Sequence, residues 1–187
     1  MADCKGRREQ IVEAARALYE EQGVSKTTVK DVADSLGVVR SLIYHYFSDK
    51  SALTSAVLDS YANDYIAALE DWNASRCEGE IEDALDGVVR LLRMGVFENT
   101  SFRRALDSQE NAALFIEFSS IVADHTARFL VENTAEDYAR LHDVKIDHLY
   151  ETFYVFVLGI CGYVRTHKDT PDSLVKDLIV QTLHMDR

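Results

Sequence analysis

The sequence predicts an all-α protein, with an N-terminal three-helix helix-turn-helix domain, a larger C-terminal helical domain, and about nine helices in total. Three observations carry that reading. One proline and eight glycines among 187 residues leave few natural helix breaks, since proline removes an amide donor and glycine weakens a helix interior. Apolar residues recur at helical spacing, not in strict alternation, along most of the chain. Hydrophobic residues make up 47% of the whole, enough to fill one small core and one larger one.

Charge divides the chain in the same way. The net charge is −12, yet residues 1–50 hold eight Lys/Arg and eight Asp/Glu, so the remainder carries the entire excess. A neutral end on an acidic body fits a two-domain regulator, with only modest sequence-blind affinity for nucleic acid. No apolar run reaches the ~18 residues of a membrane span, and the N-terminus lacks the apolar stretch of a secretion signal. Cys4, Cys77 and Cys161 are odd in number and lack metal-ligand spacing. They read as reduced, cytoplasmic thiols, with a thiol switch as the sharper alternative.

The first helix is expected from about Arg7 to Gln22, with Ile11, Ala14, Ala15, Leu18 and Tyr19 on its buried stripe and Gly23 ending it. Ahead of it, Lys5, Arg7 and Arg8 suit an arm near a phosphate backbone as well as they suit a plain disordered terminus. Thr28 and Asp31 have the spacing of a capping box for a second helix. Val29, Val32, Ala33 and Leu36 keep to one face of it. Gly37 stands where a left-handed C-cap belongs, and Val38 returns towards the core. A third helix then runs from Val39 to near Phe47. At ~100° per residue, Arg40, Ser41, Tyr44 and His45 share one arc, while Val39, Leu42, Ile43, Tyr46 and Phe47 fill the other. The front holds only groups that can donate to phosphates or base edges. A solvated helix face is the plain alternative.

Thr-Thr at 27–28, Asp-Val-Ala at 31–33, Leu-Gly-Val at 36–38, Ile-Tyr-His-Tyr-Phe at 43–47, Asp-Lys at 49–50 and Leu53 together resemble the DNA-binding domain of TetR-family transcriptional repressors. The resemblance covers about the first third of the chain. It implies that Thr28 binds phosphate at the start of the second helix, and that Lys30 reaches phosphate or a base edge. Arg40 and Ser41 would open the recognition helix in the major groove, with Arg40 placed for a bidentate contact to guanine. Tyr44, Tyr46 and Lys50 match positions that contact phosphate, and His45 faces the same side. Val39 stands where a small hydroxyl residue is usual, and Leu42 where Thr or Ser is frequent. Both subtract polar contacts, which leaves specificity resting heavily on Arg40.

The DNA-binding domain is placed at residues 1–48 and the body at 49–187, bridged by a fourth helix from about 49 to 76. Leu53, Val57, Tyr61, Tyr65 and Ala68 recur along that helix, and Cys77–Glu80 reads as a loop. Further helices are expected from Ile81 to near Asn99, over 101–108, over 110–132 and from Thr134 through Leu141. The stretch Leu149–Val164 is apolar on nearly every face, so it must be covered on two sides. A last helix starts with Thr170 as cap and Pro171 in its first position. The family resemblance makes these two final helices a dimerisation face, with Val157, Ile160, Leu174 and Leu178 in the interface of a homodimer. Two recognition helices ~34–36 Å apart would then read a palindromic operator in double-stranded DNA.

The same resemblance implies a small-molecule effector in the body, there with Phe97, Phe115, Phe118, Tyr138, Tyr150, Phe153 and Tyr154 as an aromatic lining for an apolar or planar ligand. Ordinary core is the plain reading of each. His125, His142 and His148, with Asp124, Asp143 and Asp147, match no ligand motif, so no metal site and no cofactor is assigned. No Ser-His-Asp arrangement, phosphate loop or paired-carboxylate motif stands out, which sets an all-α enzyme last. The leading function is a ligand-released repressor, and a metal- or thiol-sensing regulator on the same fold is the alternative.

Overall fold

The computed structural model describes residues 2–75, 81–96, 112–134 and 146–182. Among these are eight α-helices and no strand. They are α1 (Ala2–Gln22), α2 (Val29–Ser35), α3 (Arg40–Tyr46), α4 (Lys50–Ser75), α5 (Ile81–Val96), α6 (Ala112–Phe129), α7 (Leu149–Thr166) and α8 (Asp172–Thr182). A π-helical turn, Leu130–Thr134, follows α6 directly. The expected loop at 77–80, the helix over 101–108 and the one through Leu141 lie outside the described residues.

The described residues fall into two compact units. One comprises residues 2–61 with 112–115, and the other comprises 62–75, 81–96, 116–134 and 146–182. The division therefore lies within α4, not ahead of it. Tyr19 explains part of this, because its hydroxyl meets Thr54 Oγ1 at 2.9 Å in the interior. Burial pushes the Tyr19 phenol above its ordinary pKa. Two turns further along, the Tyr61 hydroxyl donates to Glu20, and the Arg16 guanidinium lies 3.9 Å from the Tyr61 ring centroid. Burial, with the Glu20 carboxylate second, raises the Tyr61 pKa strongly.

The first unit is set by local devices. Its core gathers Ile11, Val12, Ala15 and Tyr19 from α1 with Val29, Val32, Ala33, Ile43, Leu53 and Val57. Gly23 ends α1 at φ +87, a conformation that suits a residue without Cβ. Buried Thr27 follows, donating its hydroxyl to Gly23 O at 2.9 Å. Asp49 caps α4, its Oδ1 accepting from the Ala52 amide at 2.8 Å. That bond holds the Asp49 carboxyl below its usual range. The expected N-terminal arm is corrected: the backbone is helical from Ala2, and Arg7 Nη1 donates to Gln10 Oε1 at 2.8 Å within that helix. Residues 2–8 contain no proline to stop the helix, and Gly6 alone is a weak helix former.

The second unit relies on packing between long helices. Leu85, Val89, Leu91 and Leu92 are buried on α5, Val122, Ala123 and Ala127 on α6, and Val175 and Ile179 on α8. A β-carbon on Gly87 would overlap the Trp72 indole, so glycine is what lets α5 and α4 approach here. Arg93 of α5 pairs with Asp172 and donates to Thr170 O at 2.5 Å, while Lys176 pairs with Asp86. The Thr170–Pro171 start is shifted by one residue. Pro171 flanks the helix, its carbonyl accepting from Leu174 N at 3.1 Å, and the Thr170 hydroxyl turns back to His167 O. On α7, Phe153, Val157, Ile160, Cys161 and Val164 are buried, whereas Val155 is 67% exposed. None of the helices among the described residues is long and apolar enough to cross a membrane.

Candidate nucleic-acid interface

The α3 helix is positioned from α2 onward. Thr28 and Asp31 form the expected capping box: the Asp31 amide donates to Thr28 Oγ1 at 3.2 Å, and the Thr28 amide donates to Asp31 Oδ2 at 2.8 Å. The Thr28 backbone bond, then its hydroxyl, hold the Asp31 carboxyl below the usual carboxylate range. At the other end, Gly37 takes φ +65. Its amide donates to Asp34 O at 3.1 Å and the Val38 amide to Ala33 O at 2.9 Å. This 5→2 and 6→1 pair is a Schellman motif, which satisfies the last carbonyls and turns the chain sharply. The angle at which α3 leaves α2 is therefore set by backbone chemistry.

On α3, Ile43 is buried and Phe47 ends the helix in extended conformation, also buried. Arg40, Ser41, Tyr44 and His45 are exposed together on the opposite arc. The Arg40 guanidinium donates to the Tyr44 hydroxyl at 3.3 Å and lies 5.8 Å from its ring centroid, so the two act as a pair. His45 meets Tyr46 edge to face at 5.2 Å, and Tyr46 is half-buried. The expected place of Val39 is corrected. It is the N-cap, with ψ 144, and its side chain is 69% exposed instead of packed behind the helix. Its backbone has left the helical path, so the ~100° rule that assigned it to the back no longer holds there.

The other predicted contacts sit close by. Thr28 is exposed beside the first turn of α2, and Lys30 is exposed with its ammonium 3.6 Å from Asp34. Lys50 has a second occupation, because its Nζ donates to Val24 O at 2.6 Å. Partial burial lowers its pKa, opposed by the charge of Asp31. An ammonium has three donors, so the brace to Val24 leaves two for a phosphate. Arg8 adds a tie that the sequence reading missed, its guanidinium 5.1 Å from the Phe47 ring centroid.

The expected effector lining separates into parts. Phe153 is buried with Ala127 and Leu130, and Trp72, Val131, Leu149, Tyr150 and Tyr154 pack against that cluster. Tyr150 and Tyr154 stand 6.1 Å apart, and the Tyr150 hydroxyl donates to Asp124 at 2.6 Å. Trp72 was missed because it lies in the last turns of a helix assigned only a bridging role. Phe118 is buried but outside this cluster, Phe115 belongs to the first unit, and Phe97 and Tyr138 lie outside the described residues. For the expected dimer contacts, Val157 and Ile160 are 3% and 5% exposed, turned into the unit's own core, while Leu174 and Leu178 are half-buried. That corrects the first two. Of the acidic and histidine residues weighed for a metal, Asp124 is engaged by Arg128 at 3.0 Å, and His125 and His148 are exposed.

A short helix cupped by a left-handed turn, with a polar front and apolar back, defines a helix-turn-helix protein. Residues 11–57 match the model of bacterial regulatory proteins, tetR family. The chain is 38% identical over 92 residues to the HTH-type transcriptional regulator TtgR of Pseudomonas putida, a stretch covering 48% of this chain and 40% of TtgR. It is 26% identical over 133 residues to the HTH-type transcriptional repressor KstR2 of Rhodococcus jostii, covering 70% and 59%. The chain thus matches about half the length of these relatives. Its fold is similar to a TetR-family transcriptional regulator from Pectobacterium atrosepticum, with TM-score 0.68, 17% identity, and 100% and 99% of the two chains covered. RolR in complex with resorcinol aligns with TM-score 0.69 and 18% identity over 99% of this chain and 90% of RolR. Residues 11–57 of this chain are thus similar to the tetR family of bacterial regulators.

Proposed function

We propose that this protein is a cytoplasmic, sequence-specific DNA-binding transcriptional regulator: a homodimeric repressor that reads a palindromic operator and is released by a small molecule. One observation carries the reading. The front of α3 holds Arg40, Ser41, Tyr44 and His45 in the open, on a helix oriented by a capping box and a Schellman turn, inside the segment that matches the family. Arg40 is the base-reading residue, bidentate to guanine, and Tyr44, Thr28, Lys30, Tyr46 and Lys50 hold phosphates.

Reading a palindrome takes two copies, with recognition helices ~34–36 Å apart. The face of α7 offered to a second copy is Val155, Gly159, Gly162 and Tyr163, all exposed. Among the described residues, nothing beyond the surrounding helix backbone lies within 4 Å of where a β-carbon on either glycine would stand, leaving room for another backbone. An effector would act by favouring a body conformation that carries the reading helices away from half-site spacing. The Trp72, Tyr150, Phe153 and Tyr154 cluster makes a planar aromatic compound the first ligand to try, and RolR, on a similar fold, holds resorcinol.

The thiol-sensing alternative draws no support from Cys161, whose thiol is buried and pushed up to about 12, far from the reactive thiolate. The test of the leading reading is selection of bound duplexes from a random pool at a stated moderate salt. A two-fold palindrome is the expected result. A folded dimer that enriches no motif would overturn it.

A further inference from the structure

Val39 breaks two local rules at one point. As the N-cap of α3 it makes no side-chain hydrogen bond to the helix amides, where Ser, Thr, Asp or Asn is preferred. It is also the most exposed large hydrophobic among the described residues, at 69%. The apolar residues that follow turn inward, with Ile43 and Phe47 buried and Leu42 half-buried. The isopropyl group therefore stands in the open beside Arg40. Local violations of this kind concentrate at functional positions.

A valine has nothing to donate to a phosphate. In the major groove, the C5-methyl of thymine is the group with which an apolar side chain makes a specific contact. We infer that Val39 is a specificity-determining residue that packs its isopropyl group on the methyl of a thymine adjacent to the base pair read by Arg40. The inference rests on the DNA-binding reading above. It gives each half-site a paired requirement, a guanine for the guanidinium and a neighbouring thymine for the valine. The missing helix cap then follows from function, since a serine, aspartate or asparagine cap would bring no methyl to that contact.

The experiment uses the full chain and the duplex recovered by selection. Each thymine is replaced in turn by deoxyuridine, which removes the methyl and leaves base pairing intact. Wild-type protein should weaken at one thymine position by about fourfold per half-site, the effect of one buried methyl. Val39→Ala should bind the thymine and deoxyuridine duplexes alike. Val39→Ser should also lose the distinction while melting at or above the wild-type temperature, because the cap is restored. That shows the loss is not misfolding. Val39→Thr keeps a methyl and should keep the discrimination. The proposal is overturned if wild type is indifferent to deoxyuridine at every position, or if Val39→Ala and Val39→Ser discriminate as wild type does. Failure to enrich any duplex is a different result, seen before deoxyuridine is introduced, and it removes the DNA-binding reading itself.

Discussion

The two units hold their shapes by different means. In the first, α2 and α3 are seven residues each, far below the ~12–15 at which an isolated helix becomes even marginal in water. They persist because short-range devices define their ends: the Thr28–Asp31 box, the Gly37 turn and the Asp49 cap. In the second unit, α5 and α7 run 16 and 18 residues, and the start of α7 is less carefully made. His148 precedes α7 in the left-handed region with no side-chain cap. Here glycine-to-tryptophan packing, cross-helix ion pairs and buried hydroxyls do the positioning. Thr126 and Tyr65 meet at 3.2 Å inside this unit, and burial raises the Tyr65 pKa. A reading surface needs a fixed local angle, and local chemistry supplies it. The body needs a core.

The contrast is sharpest when each region is broken where it is most exposed to failure. Arg40→Ala should remove about 1–3 kcal/mol of base discrimination per half-site, and with two half-sites this is the largest effect expected on binding. Its melting temperature should barely move, since the side chain is exposed. Competition between operator variants measures the first and thermal unfolding the second. Gly87→Ala should do the reverse, destabilising by about 1–3 kcal/mol because the new methyl overlaps the Trp72 indole. Denaturant titration measures that loss, and an unchanged midpoint would mean that Trp72 repacks freely.

Lys50 tests whether one residue can serve both roles. Lys50→Met removes the bond to Val24 O and should cost about 1 kcal/mol of stability. If Lys50 also holds a phosphate, all sequences weaken alike and the salt dependence flattens by about one charge per protomer. A stability loss with an unchanged salt slope would make it a brace alone. Thr28→Ala should cost about 1 kcal/mol through the lost cap, read by thermal unfolding.

The smallest effect is the pH dependence. The folded-state pKa values of Asp31 and Asp49 are depressed by amide bonds. Their contribution is fully present above the ordinary aspartate range, near pH 4, and is lost as pH falls through the lower folded values. Asp31→Asn should lower stability at neutral pH and flatten the acid limb, measured as unfolding free energy between pH 6 and 2. An acid limb as steep as the wild type's would count against the capping box as its source.

The first unit was largely legible because its signals are adjacent in sequence. Thr28 and Asp31 are three residues apart, and Gly37 follows the last apolar residue of its helix, so neither required knowledge of a neighbour. One exception was Val39, where a one-residue shift in the start of α3 moved a side chain from the back to the open. Periodicity cannot place a residue whose backbone is not helical.

For the second unit, the sequence alone determined that the stretch from Leu149 is a helix and that it is apolar enough to be covered. It could not choose the covered face, because apolar residues on all sides leave no preferred direction. The tertiary structure turned Val157 and Ile160 inward and left Val155 and Tyr163 outside, a choice made by the shapes of the helices packed against them. It likewise set Trp72 on Gly87 and joined Tyr150 to Asp124 across 26 positions. Helix existence, caps and turns depend on hydrogen bonds between near neighbours, so residue order determines them. Which faces meet depends on side chains remote in the chain, and only the folded arrangement decides that.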